Sequence, residues 1–111
     1  MTAYVVAHVK FRDASRLKGE YVYVTARLEE QFGGRHIASG IHKQVEGDGL
    51  GTVTSILEFP SIEAVEAFWN HPEYQRVAAI RRAGSDSKIV IIDAAEVQGP
   101  FASVGRPEAS T

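Results

Sequence analysis

The hydrophobic and polar positions of this chain change period along its length, and the changes mark out the elements. Tyr4 to Phe11 is rich in β-branched and aromatic residues and reads as a strand. Val5, Ala7 and Val9 form a wholly apolar row, while Tyr4, Val6, His8 and Lys10 form a mixed one. After the turn at 12–15, with Asp13 as the expected N-cap, Leu17, Tyr21, Val24, Leu28 and Phe32 recur at steps of four, three, four and four. That is the stripe of an amphipathic helix. Gly19 lies inside the stripe at some cost in propensity, and Gly33-Gly34 supplies a left-handed stop.

Arg35 to Glu46 reads as a second, irregular strand, with a bulge expected at Gly40. The glycine-rich segment 46–51 is a hairpin connection to a third strand, Thr52 to Phe59. Pro60 ends that strand and Ser61 is a good N-cap for the helix after it. Ile62, Val65, Phe68 and Trp69 build its apolar face as far as Asn70. His71-Pro72 breaks that helix and starts another, which runs to Ala83 and stops at Gly84. Ser85-Asp86-Ser87 reads as a polar turn and Lys88 to Ala94 as a fourth strand, apolar on both faces. From Gly99 to Thr111 periodicity disappears. Residues 1–98 are expected to form one domain and 99–111 a flexible tail, or an arm that packs Phe101 on a partner.

The order strand, helix, strand, strand, broken helix, strand is the ferredoxin-like β-α-β-β-α-β pattern of an α+β protein. Both helical segments pack on one face of a four-stranded antiparallel sheet. The other face, of roughly 350 Å² before side-chain relief, is left bare. An apolar face of that size usually marks an interface, and Tyr4, Val6 and Ile56 fall on it. A second copy of the chain, sheet against sheet, is the simplest closure, so a homodimer is predicted.

Composition narrows the function classes. The 111 residues suffice for one domain. A formal charge of −2 with mixed signs argues against nucleic-acid or membrane partners. No apolar run is long enough to span a bilayer, and no secretory signal is visible, so a cytoplasmic location is expected. The absence of cysteine removes thiol catalysis, disulfides and thiolate metal sites. His36 and His42 are six residues apart in an extended segment, about 20 Å, too far to share an ion. Neither a phosphate loop nor a nucleophile elbow is present. No metal or other cofactor is expected.

The Leu57-Glu58-Phe59-Pro60-Ser61 corner, Pro72-Glu73-Tyr74-Gln75, Gly33-Gly34-Arg35 and Glu46-Gly47 resemble the DUF1330 proteins, small members of the dimeric α+β barrel superfamily. The resemblance runs from about Tyr4 to Val97. It implies a dimer whose two sheets form a barrel-like core with a pocket in each half. The wider superfamily includes cofactor-free monooxygenases, isomerases, cyclases and haem-dependent enzymes. It also implies a basic residue, here Arg81 or Arg82, as a substrate or ion-pair contact. The chain departs from the pattern at His71, Ser39 and Val53. The last two stand where strand arginines are common, which weakens any expectation of an anionic substrate held by the strands.

Strand parity gathers a candidate site on the sheet face away from the helices. If Val5, Ala7 and Val9 face the helices, His8 faces the other way, with Thr54, Ile56 and Glu58 of the third strand. Taking Ile37 and Ile41 to face the helices puts His36 there too. His8, His36 and Glu58 are the candidate acid/base groups, and Tyr4, Val6, Thr54 and Ile56 the substrate-contacting walls. A histidine beside a carboxylate in a semi-apolar cleft can act as base or acid near neutral pH. The competing reading makes each a hydrogen-bonded interface group, with Glu58 capping a helix or paired with an arginine. Tyr21 and Trp69 read as core packing first and as pocket walls second. The sequence therefore supports a small cofactor-independent isomerase, cyclase or lyase acting on a compact, partly apolar molecule. A cofactor-free monooxygenase is a lesser variant of the same reading. The alternatives are a non-catalytic homodimer that binds a small ligand and a structural or regulatory dimer without a pocket.

Overall fold

The computed structural model describes residues 2–94 and residue 100. Four strands, β1 (Ala3–Phe11), β2 (Arg35–Ile41), β3 (Val53–Phe59) and β4 (Ser85–Asp93), form one antiparallel sheet in the order β2-β3-β1-β4. Three α-helices complete the layer above it: α1 (Glu20–Gln31), α2 (Ile62–Trp69) and α3 (Pro72–Gly84). This is the ferredoxin-like α+β fold. Of the expected tail only residue 100 is described, and the boundary at residue 98 and the expected packing of Phe101 lie outside the described residues.

Alternation along the central strand decides what is inside. Ala3, Val5 and Val9 are buried on the helix side of β1, opposite Phe59, Leu57 and Val53 of β3. Val24 and Leu28 from α1, Val65 and Phe68 from α2, and Tyr74, Val77 and Ala78 from α3 close over them. The rings of Phe59, Phe68 and Tyr74 run in series, with centroids 5.3 and 4.5 Å apart. Two exposed ion pairs, Arg27–Glu73 and Arg76–Glu20, link α1 to α3; at such exposure they add little stability.

The helix caps follow from local chemistry. The Ala64 amide donates to Ser61 Oγ at 3.0 Å, and the Glu73 amide donates to His71 Nδ1 at 3.1 Å. His71 is thus the N-cap of α3, with Pro72 in its first turn. At the end of α1, Gly33 has φ 80°, and the Gly33 and Gly34 amides return to the carbonyls of Glu30 and Glu29. Gly34 is fixed by space: a Cβ there would stand 2.5 Å from the Phe59 ring.

Four features depart from the sequence reading. The first helix is two pieces, because Asp13 caps a short 3-10 turn at Ala14–Leu17 and Gly19 sits at the break before α1. β2 ends at Ile41, short of Glu46. Ser85 to Ser87 belong to β4, paired with Phe11 to Val9, and form no turn. The irregularity in β2 falls between His36 and Ala38, while Gly40 pairs regularly with Thr54. The last matters most: an extra residue in a strand reverses the facing of everything on one side of it. Ile41 pairs with Val53 on the helix side, as expected, but His36 pairs with Leu57 and is on the helix side as well.

Candidate functional site

The layer between sheet and helices is not completely filled. Ala7 and Ser55 on the sheet, with Thr25 and Ala26 on α1, are too small to meet across it. A cavity of about 320 Å³ remains. That is the low end for small-molecule sites. Val5, Val9, Leu57, Ile89, Phe68 and Trp69 give it mainly apolar walls.

Its few polar groups come from two helices and one strand. Tyr21, Thr25 and Glu29 stand at four-residue intervals on α1 and line the cavity together, as do Tyr74 and Arg81 on α3. His36 enters from β2. Glu29 is buried, and burial pushes its carboxyl up to about 7. Its Oε1 lies 3.3 Å from Nδ1 of His36, whose side chain is half exposed at the cavity's edge. The pair therefore joins a buried acid/base group to a solvent-connected imidazole. Burial, reinforced by Tyr74 and opposed by Arg81, pushes the Tyr21 hydroxyl well above its ordinary value. Tyr21 is consequently a donor and not a base. Thr25 Oγ1 and Arg81 Nε and Nη2 are buried without a hydrogen-bond partner among the described residues.

The expected residues are divided by the sheet. His36, Tyr21, Trp69 and Arg81 line the cavity. Tyr4, Val6, His8, Thr54, Ile56 and Glu58 lie on the opposite face, where β1 and β3 pair Tyr4 with Glu58, Val6 with Ile56 and His8 with Thr54. The expectation that His36 joins His8 and Glu58 is thereby corrected: the irregularity at Ile37 turns His36 to the other side. Glu58 is held by Arg35, which donates to Oε1 from Nε at 3.1 Å and Nη2 at 2.9 Å.

His8 meets Thr54, as expected, and through it His42, which sequence reasoning did not place there. Thr54 Oγ1 lies 2.9 Å from His8 Nδ1 and 2.7 Å from His42 Nδ1. A hydroxyl has one proton, so it can donate to at most one ring and must accept from the other. At least one of the two imidazoles therefore carries a proton on Nδ1. Glu29 was missed too. Its signal was the Tyr21-Thr25-Glu29 row, one step beside the Leu28 stripe.

Residues 2–95 match the DUF1330 family, described as a domain of unknown function. No curated protein matches the chain. Among solved structures, RPA0582 from Rhodopseudomonas palustris, a protein of unknown function, shares 18% identity at a TM-score of 0.70, over 88% of this chain and 84% of its own. SnoaB from Streptomyces nogalater, a cofactor-independent oxygenase, shares 15% identity at 0.61, over 89% and 97%. A dimeric ferredoxin-like protein of unknown function from Jannaschia shares 13% identity at 0.55, over 84% and 99%. At these identities the likeness is one of fold. The match over residues 2–95 is of another kind, and by it the chain belongs to the DUF1330 family.

Proposed function

We propose that this protein is a small enzyme that moves protons on a compact, partly apolar carbonyl compound bound between the sheet and the helices, without a cofactor. The observation that carries this reading is Glu29, a carboxyl raised to about 7 in an apolar cavity and within 3.3 Å of His36. A base poised near the working pH is what proton abstraction next to a carbonyl requires. The fold it shares with a cofactor-independent oxygenase is consistent with such chemistry.

In the mechanism, ionised Glu29 takes a proton from the carbon next to the substrate carbonyl. The electron pair moves onto the carbonyl oxygen, where the Thr25 hydroxyl, otherwise unpartnered, donates to the enolate. The proton then returns to a different carbon, completing an isomerisation. His36 links Glu29 to solvent and resets its protonation between turnovers. His8 and Glu58, the other expected acid/base groups, are on the far side of the sheet and are assigned no step in this mechanism.

The test uses β,γ-unsaturated aryl ketones such as 1-phenylbut-3-en-1-one, whose shift to the conjugated enone is followed by ultraviolet absorbance. The wild-type protein accelerates the shift, and Glu29→Gln lowers the rate about 100-fold. An unchanged rate in that variant would sink the assignment of the base. No acceleration of any ketone in the series would leave the non-catalytic ligand-binding dimer as the better reading.

The bare sheet face supports the homodimer. Val90 and Ile92 of β4 are about half exposed there, beside Val6 and Tyr4 of β1. Multi-angle light scattering at micromolar concentration is expected to give twice the 12.1 kDa chain mass. Val90→Glu should halve it, since a carboxylate at the centre of an apolar interface would be desolvated without a partner. A wild-type mass of one chain would refute the dimer.

A further inference from the structure

Arg81 is 6% exposed, yet no carboxylate among the described residues is within 4.0 Å of it. A guanidinium cannot shed its charge as a buried lysine can, so burial without a counter-ion is costly. Its position is a consequence of the helix: Tyr74, Ala78 and Arg81 share the face of α3 that packs inward, and the first and last of them line the cavity. The charge is thus held in the wall of a largely apolar chamber.

The unpartnered atoms are specific. Nε and Nη2 both lack a hydrogen-bond partner. Their N–H bonds lie parallel on one edge of the planar guanidinium, the edge that grips the two oxygens of a carboxylate. Tyr21, kept protonated by burial, stands beside Arg81 and Tyr74. A neutral hydroxyl there can donate to an anion but cannot neutralise a cation.

We propose that Arg81 is the anchor of a carboxylate-bearing ligand whose apolar body fills the cavity toward Phe68 and Trp69. This rests on the reading of the cavity as a ligand site and adds the ligand's class: a compact aryl- or alkyl-substituted carboxylic acid. The carboxylate supplies the missing counter-ion and accepts from Nε and Nη2. Its apolar end meets the sheet residues Val5 and Leu57. The reacting carbonyl is then a second group on the same molecule, within the reach of Glu29.

Trp69 is the chain's one tryptophan and lines the cavity, so its fluorescence reports occupancy directly. The probes are 3-phenylpropanoate and its neutral amide, 3-phenylpropanamide, which match in shape and differ in charge. In the wild type the carboxylate should bind at least about 10-fold more tightly than the amide, as expected for one charge-assisted bidentate contact. Arg81→Met should bring the two affinities together. Equal wild-type affinities, or a preference that survives Arg81→Met, would overturn the assignment. Should circular dichroism show that Arg81→Met does not fold, Arg81→Lys decides the matter. Lysine keeps the charge and loses the fork, so the preference should fall below the wild-type value; an undiminished preference refutes the bidentate anchor. Carboxylate preference without ketone turnover would remove the enzymatic reading and leave this one standing.

Discussion

Phe59→Ala is expected to cost about 3–5 kcal/mol of folding stability, most of what a domain of this size has. Phe59 is 1% exposed and is the largest fully buried side chain among the described residues. It ends β3, pairs with Ala3 of β1 and reaches Phe68 of α2 across the layer. Gly34 lies directly against its ring. The truncation would remove ring burial, leave a void and strip the support from the α1–β2 corner at once. That corner cannot collapse inward easily, because Gly34 has no side chain to fill the space. Urea unfolding followed by circular dichroism should show the midpoint falling steeply with little change in slope. A loss below about 1 kcal/mol would mean that the layer can repack around the gap, contrary to the close packing of the Phe59–Phe68–Tyr74 series.

Phe59 also illustrates why the architecture was legible in the sequence. Its strand alternates, Pro60 and Ser61 mark where extended chain becomes helix, and Gly33-Gly34 marks where helix becomes extended chain. These signals are local, and they agree with one another along the chain. The topology and the inward rows of β1 and β3 follow from them. The site was less legible, because it depends on how elements meet. One unpaired residue at Ile37 reversed the facing of His36, and no glycine or proline stands there to announce it. Gly40, which does carry such a signal, pairs regularly with Thr54. Glu29 looks like an ordinary solvent-facing residue beside Leu28, and only the folded chain shows that it is buried with His36 of β2 beside it. The gap that makes the cavity arises from small residues, Ala7, Ser55 and Ala26, whose shortfall appears only when sheet and helix are brought together. The expectation of a site on the His8 face rested on chemistry that is present there. The His8–Thr54–His42 cluster is ordered by hydrogen bonds, but it is separated from the cavity by the sheet itself.

Glu29→Gln should make the protein more stable at alkaline pH while slowing the proposed isomerisation. The carboxyl's ordinary value is 4.5, and in the folded protein burial raises it to about 7. A group whose folded value is raised binds its proton more tightly in the folded state. Its contribution is therefore fully present below pH 4.5, declines between 4.5 and about 7, and is lost above that, where ionised Glu29 weighs against folding. The gap corresponds to about 3 kcal/mol at pH 8, as an order of magnitude. Glutamine has nearly the same shape and no charge to desolvate. The stability difference between variant and wild type should be near zero at pH 4, rise through the interval from 4.5 to about 7, and level off above it. Denaturant unfolding of both proteins at a series of pH values measures it directly. A difference that stays flat across that interval would mean that Glu29 ionises at its ordinary value, and the base assigned to the cavity would lose its physical ground. The rise, if found together with the loss of turnover, has one cause. On the proposed function, the burial that tunes Glu29 toward neutral pH for proton abstraction is the same burial that makes its ionised form costly to the fold.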